Sequence, residues 1–201
     1  MAVLALCLFA GFLLLAGVAR IFIQHRRTGD TGIRRARAAG TAQQWARATL
    51  VTGSLLVGVA APVAELAGLG ALPVLDWPGL RVAGAVLAVL GIVAVIGAQN
   101  TMGASWRNDV DPTERTDLVT HGPFRLIRNP IYTAALAWAV GLALLVPNPL
   151  ALSGLVLLWL GLELQVRNVE EPYLQRVHGP AYQQYAAQVG RFLPCIGRLR
   201  N

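Results

Sequence analysis

The stretch IYTAALAWAVGLALLVPNPLALSGLVLLWLGLELQV, residues 131–166, decides the fold. It holds two apolar runs, 131–147 and 149–166, separated only by Pro147-Asn148-Pro149. Each run approaches the roughly 20 residues a helix needs to cross a bilayer. Proline cannot continue a helix past its own position without losing a hydrogen bond. The pair therefore reads as a tight helical hairpin. Working outward, three further apolar runs lie at about 2–23, 48–72 and 80–102. Across its 201 residues the chain is 55% hydrophobic and 13% charged, far from the charged quarter or so of an ordinary soluble domain. No strand-like alternation or internal repeat is present. The expected fold is an all-α integral membrane protein with five transmembrane helices and a cytoplasmic C-terminal helical segment.

The net charge of +7 could indicate nucleic-acid binding or cytoplasmic loops, and its location separates the two. Arg20, Arg26, Arg27, Arg34, Arg35, Arg37 and Arg47 cluster around the first loop, whereas the second, GALPVLDWPGL at 70–80, holds only Asp76 before Arg81. The positive-inside rule places the first loop in the cytoplasm. Counting spans outward puts the N-terminus outside and the 103–130 loop and C-terminal segment inside, where most of the other arginines lie. This predicts a multi-pass protein of the cell (inner) membrane, with no nucleic-acid partner. The opening apolar run lacks a basic region before it and reads as an uncleaved anchor, not a secretory signal. Gly29, Gly32 and Gly40 interrupt the basic segment 25–45, which reads as a solvated loop near anionic head groups. Cys7 and Cys195 lie near opposite ends of the chain and suggest neither a disulfide nor a metal framework.

Two polar clusters lie at the inner surface. In RNPIY, 128–132, Pro130 biases Asn129 away from helix and pre-sets the first turn of the fourth span. That leaves backbone amides unpaired at a helix N-terminus, a place that favours carboxylates and other anions. The same residues also fit a bare helix start with Arg128 snorkelling to lipid phosphate. The second cluster, residues 162–194, places Glu163, Arg167, Glu170 and Glu171 three and four apart, on one side of a helix. Pro172 should kink or restart that helix, and Gly179-Pro180 should do so again. Tyr182 and Tyr185 follow on an amphipathic helix, where an aromatic belt is the plain expectation. Adjacent glutamates at a membrane surface are costly unless paired or used. A ligand with an amine, a carboxylate, a polar heterocycle and a cationic centre would suit both clusters together, and S-adenosyl-L-methionine has all four.

The pairing of LVTHGPFRLIRNPIY, 118–132, with EEPYLQRVHGPAYQQYAAQVGRFLP, 170–194, resembles the isoprenylcysteine carboxyl methyltransferases, within the phospholipid methyltransferase superfamily. The resemblance covers about residues 100–194. It implies a multi-span helical enzyme that holds S-adenosyl-L-methionine between the loop before the fourth span and the helix after the fifth. Carried over by position, the cofactor-binding residues are Thr116, Asp117, Leu118, Val119, Phe124, Asn129, Pro130, Ile131, Tyr132, Glu170 and Glu171. Glu170 is also a candidate catalytic residue, together with Arg167, the candidate for holding the acceptor carboxylate. Phe124 replaces the family's usual Tyr, Asn129 its His and Ala134 a frequent Gly. Asn129 can hydrogen-bond a cofactor but cannot carry a proton. By this reading, 1–102 forms three N-terminal helices with a basic loop, and 103–201 forms the methyltransferase core.

The implied activity is O-methylation of a carboxylate on a lipophilic, isoprenylcysteine-like acceptor drawn from the bilayer, with membrane lipids as surroundings and no obligate protein partner. Asn-Pro-x-Tyr with a later Glu-Glu-Pro also resembles the phosphatidylethanolamine N-methyltransferases, which makes a lipid amine the alternative acceptor. A carboxylate attacking a sulfonium methyl gives a neutral ester and needs no proton removed at neutral pH. An amine must first be deprotonated, for which His121, His178 and the glutamates are available. The sterol reductases share parts of the terminal motif but carry a different acidic stretch before the final Tyr pair. A non-enzymatic membrane scaffold and a transporter are further alternatives; against transport, the third to fifth spans hold almost no polar residues at mid-depth.

Overall fold

The computed structural model describes residues 1–33, 41–108, 110 and 114–199. Arg34, Arg35, Arg37 and Gly40 of the basic loop lie outside the described residues. The described residues are helical, with two isolated β-bridges and no named strand. Four helices are long and apolar enough to cross a membrane: α1 (Ala2–Thr28), α2 (Thr41–Leu66), α3 (Pro78–Ser105) and α5 (Pro149–His178). Between the last two lies α4 (Pro130–Leu145), apolar but only 16 residues long, about 24 Å at the helical rise. A short helix, α6 (Pro180–Gln188), follows. This is the architecture of a multi-pass membrane protein.

Several bounds differ from the hydrophobic runs. The first helix continues past residue 23 to Thr28, where Gly29 takes φ +73° and ends it. The second begins at Thr41, before its apolar run, because polar residues lengthen a helix wherever water can reach them. The last long helix passes 166 without a break. Val166–Glu170 forms a π-turn and Pro172 occupies the first turn of the α-helix that resumes at Glu171. A wider turn accommodates a residue that has no N–H to donate, so the expected kink becomes a register shift.

The hairpin forms as expected. Asn148 is fully buried, accepts from the Ala151 amide at 3.0 Å and donates to the Ala61 carbonyl at 2.9 Å, tying the turn to α2. Close helix approach depends on glycine, since packing in lipid requires backbones to meet. A Cβ at Gly141 of α4 would lie 2.5 Å from the Ala88 nitrogen of α3, and one at Gly53 of α2 would lie 2.8 Å from the Gly154 oxygen of α5. Between these pairs sits a core of Phe9, Val57, Ala88, Trp138 and Leu142, with Phe12 stacked on Trp138 at 4.0 Å between centroids. Outward-facing leucines and valines such as Leu14, Val86, Leu90 and Val156 stay exposed, as a lipid-facing surface requires.

Charges segregate by end. At one end the N-terminal amine meets Glu65 at 3.4 Å and Arg81 pairs with Asp76 at 2.7 Å. The other end carries Arg26, Arg27, Arg107, Arg128 and Arg191, and there the N-terminus of α4 meets the last turns of α5. Arg20 does not belong with the loop arginines: it is 2% exposed, inside α1.

Candidate functional site

Residues 190–191 fold back beneath the start of α4. The Arg128 amide donates to the Gly190 carbonyl at 2.8 Å, and the Asn129 amide to the Arg191 carbonyl at 3.1 Å. The Asn129 side chain reaches that second carbonyl too, at 3.1 Å. Pro130 then opens α4, which brings Tyr132 against the π-turn of α5. Tyr132 donates its phenol hydrogen to Glu170 Oε1, which also accepts from Gln165 Nε2 at 3.2 Å. The five-residue reach from Gln165 to Glu170 spans the π-turn. The two motif segments thus meet through a side-chain hydrogen bond.

Adjacent glutamates part company here. Glu170 lines a cavity of about 360 Å3. Glu171 turns away from it and is buried between two arginines, 2.7 Å from Arg128 Nη2 and 2.8 Å from Arg191 Nε. The paired carboxylate in turn raises the pKa of Arg191. Arg128 is therefore no lipid-snorkelling residue. Its side chain is 2% exposed and donates to the carbonyls of Ala186, Val189 and Gly197. A planar guanidinium with five donors can tie a carboxylate and several carbonyls at once.

All but one of the expected cofactor residues line the cavity. Thr116, Asp117, Leu118 and Val119 come from the loop after α3; Phe124, Asn129, Pro130, Ile131 and Tyr132 come from the approach to α4 and its first turn, and Glu170 from α5. Glu171 is the exception, being held in the arginine pair. Arg167 is not brought to the cavity either: its side chain is 57% exposed and bonded to Glu163. The π-turn explains the split, because it rotates Glu170 and Glu171 away from the face that Glu163 and Arg167 share. His121 and His178 do not line the cavity.

The cavity also has walls that motif reading passed over. Gln99 and Trp106 come from the end of α3 and the turn after it, and Arg107 follows, 2.7 Å from Glu114. Tyr173 donates to the Glu114 carbonyl at 2.7 Å, which ties the loop to α5. Tyr182 is 2% exposed and lines the cavity, so it is not part of an interfacial belt. Tyr185 also lines it and donates to the Phe124 carbonyl at 2.6 Å. Burial raises both phenols, Tyr185 to about 12 and Tyr182 further. Both remain neutral hydrogen-bond donors at physiological pH. Tyr173, Tyr182 and Tyr185 lie within the motif segment 170–194, but the plain expectation for the final tyrosine pair was an interfacial belt.

The cavity sits within the roughly 300–1,000 Å3 of small-molecule sites. It combines the carboxylates of Glu114, Asp117 and Glu170, several aromatic faces, the Asn129 amide and the N-terminal turn of α4. That set suits a ligand bearing both a cation and an anion.

Solved structures include one with the same fold, a eukaryotic intramembrane Ras methyltransferase, isoprenylcysteine carboxyl methyltransferase. It superposes with a TM-score of 0.63 at 20% identity, over 98% of this chain and 70% of that one. Among curated proteins, a probable protein-S-isoprenylcysteine O-methyltransferase of Oryza sativa subsp. japonica is 34% identical over 116 residues, covering 56% of this chain and 60% of its own. The Saccharomyces cerevisiae protein-S-isoprenylcysteine O-methyltransferase is 34% identical over 118 residues, 57% of this chain and 49% of its own. The match thus spans about half to 60% of these relatives' length. Residues 80–181, from the start of α3 into α6, match the phospholipid methyltransferase family model. The chain belongs to the phospholipid methyltransferase family.

Proposed function

We propose that this protein is a membrane methyltransferase that uses S-adenosyl-L-methionine to O-methylate a carboxylate on a lipophilic, isoprenylcysteine-like acceptor. The observation that carries this reading is the Tyr132–Glu170 contact, which joins the two motif segments around one cavity of about 360 Å3. The family membership and the names of the aligned relatives support the same reaction class. α4, fourth in chain order, brings the number of spans to five, and the cavity end faces the cytoplasm, as the arginine distribution implies.

Bound S-adenosyl-L-methionine would supply an electrophilic methyl group on its sulfonium. Glu170, fixed by Tyr132 and Gln165, supplies negative charge for a cationic ligand group. Asn129 and the first amides of α4 suit a carboxylate. Phe124, Tyr182 and Tyr185 offer ring faces and exclude water, which favours a step in which opposite charges cancel. No side chain has to remove a proton from a carboxylate acceptor, so the protein acts chiefly by positioning. Arg167, exposed one turn before Glu170, is assigned to the arriving acceptor carboxylate, for which it exchanges Glu163.

The test is incubation of purified protein with methyl-labelled S-adenosyl-L-methionine and, in parallel, a prenylated cysteine acceptor or an amine-bearing lipid, followed by alkali. Release of labelled methanol is the expected result. Label that survives alkali on an amine-bearing lipid would assign N-methylation instead.

A further inference from the structure

Arg20 lies within α1, outside residues 80–181 that match the family. It is 2% exposed and makes no ion pair among the described residues. Nη2 donates to Gln24 Oε1 at 2.8 Å and to the Gly103 carbonyl at 2.6 Å, while Nε and Nη1 are buried without a partner. Gln24, equally buried, donates to the Ala104 carbonyl at 3.0 Å. The Arg20 guanidinium carbon stands 5.0 Å from the centroid of the Trp106 ring. A buried cation without a carboxylate is expensive, and an intramembrane ionisable residue needs a stated purpose. What faces this one is an indole and the carbonyl end of α3, both of which attract positive charge.

A second stretch of the N-terminal third meets the same ring. A Cβ at Gly32 would lie 2.9 Å from Trp106 Cε3 and Cζ3, and Gly32 takes φ +71°. Its carbonyl accepts from the Asn108 amide at 3.0 Å, and Asp30 lies 3.8 Å from Arg107. Trp106, Arg107 and Asn108 all line the cavity.

We propose that Arg20 is a positioning residue of the cavity: it fixes the Trp106 indole and the end of α3, and so sets the wall against which the methyl donor binds. For its ligand this inference rests on the cofactor reading above. The first span, though outside the family match, is thereby a working part of the site.

A double-mutant cycle tests it. S-adenosyl-L-methionine affinity is measured by titration calorimetry for the full-length protein, Arg20→Gln, Trp106→Leu and the double variant. In parallel, the protein and Arg20→Gln are labelled with 5-fluorotryptophan, and Trp106→Leu identifies the Trp106 line by its loss. Arg20→Gln is expected to weaken binding about tenfold. The double variant should bind no worse than the weaker single one, because both act through one contact. The Trp106 fluorine line should move in Arg20→Gln while those of Trp45, Trp77 and Trp159 hold, which excludes general unfolding. Unchanged affinity in Arg20→Gln, or additive losses, would overturn the proposal. If the unsubstituted protein itself fails to bind, the cofactor reading falls. The fluorine line then decides alone: a stationary Trp106 line sinks the positioning role, and a shifted one supports it.

Discussion

At the level of single residues, neighbouring glutamates are given different work. Glu170 faces the cavity and Glu171 is sealed between Arg128 and Arg191. Glu170→Ala removes a charged partner from the ligand, an effect of about 1.5–3 kcal/mol for charged hydrogen bonds. Calorimetry should show S-adenosyl-L-methionine affinity falling by tenfold or more with little change in thermal unfolding, and Tyr132→Ala should behave similarly. Glu171→Ala instead strands two buried guanidinium groups, and breaking such a network costs about 3–5 kcal/mol. A clear fall in unfolding temperature is expected there; unchanged stability would remove the structural role assigned to it. Arg167→Ala should raise the acceptor KM and leave cofactor affinity intact. Tyr185 supplies a pH test. Its phenol is raised by burial to about 12, above the unfolded value of about 10. Its contribution to stability is therefore complete below about pH 10 and lost as pH climbs through the folded value. Ultraviolet titration should show two late phenol ionisations, the earlier of which Tyr185→Phe removes while that of Tyr182 remains.

At the level of elements, glycine contacts and one π-turn set the site. The α3–α4 pair is held at backbone contact by Gly84 and Gly141, where an added Cβ would lie 2.7 and 2.5 Å from its nearest neighbours. Gly141→Val meets backbone atoms that cannot swing aside, and overpacking of this kind costs about 1–3 kcal/mol. Unfolding temperature should drop, and cofactor affinity with it, since α4 carries Asn129 to Tyr132 at its other end. Gly97→Ala on α3 meets nothing within 4 Å and should leave both unchanged. The hairpin was legible because Pro147-Asn148-Pro149 interrupts an apolar run and leaves one local solution. The π-turn was not. One extra residue in a turn hardly alters composition or hydrophobic periodicity, so Glu163, Arg167, Glu170 and Glu171 looked like a single face. Its one local sign was Pro172, which equally predicts a kink.

At the level of the whole molecule, the segments that build the cavity were readable from motifs, whereas the packing behind them was not. Loop residues Thr116 to Val119 came only from the family resemblance, whereas Asn129 to Tyr132 were also marked by the local chemistry of a proline-started helix. Trp106, Gln99 and Arg20 did not, because their roles come from contacts across some 80 residues of chain, such as Arg20 to Gly103 and Gln99 to Ala16. Orientation in the membrane is where sequence and structure make one joint prediction. Charge counting puts the arginine-rich end inside, and the folded chain places the cavity at that same end. The two native cysteines make this testable. Cys195 is exposed after the last helix, while Cys7 lies in α1 among outward-facing leucines, where lipid shields it and disfavours its thiolate. In a Cys7→Ser protein, a membrane-impermeant maleimide should label Cys195 in inside-out vesicles and spare it in sealed right-side-out ones. The reverse pattern would put the cavity on the outer face, away from a cytosolic methyl donor. The proposed route, with cofactor from the cytosol and acceptor from the bilayer, would then fail together with the topology.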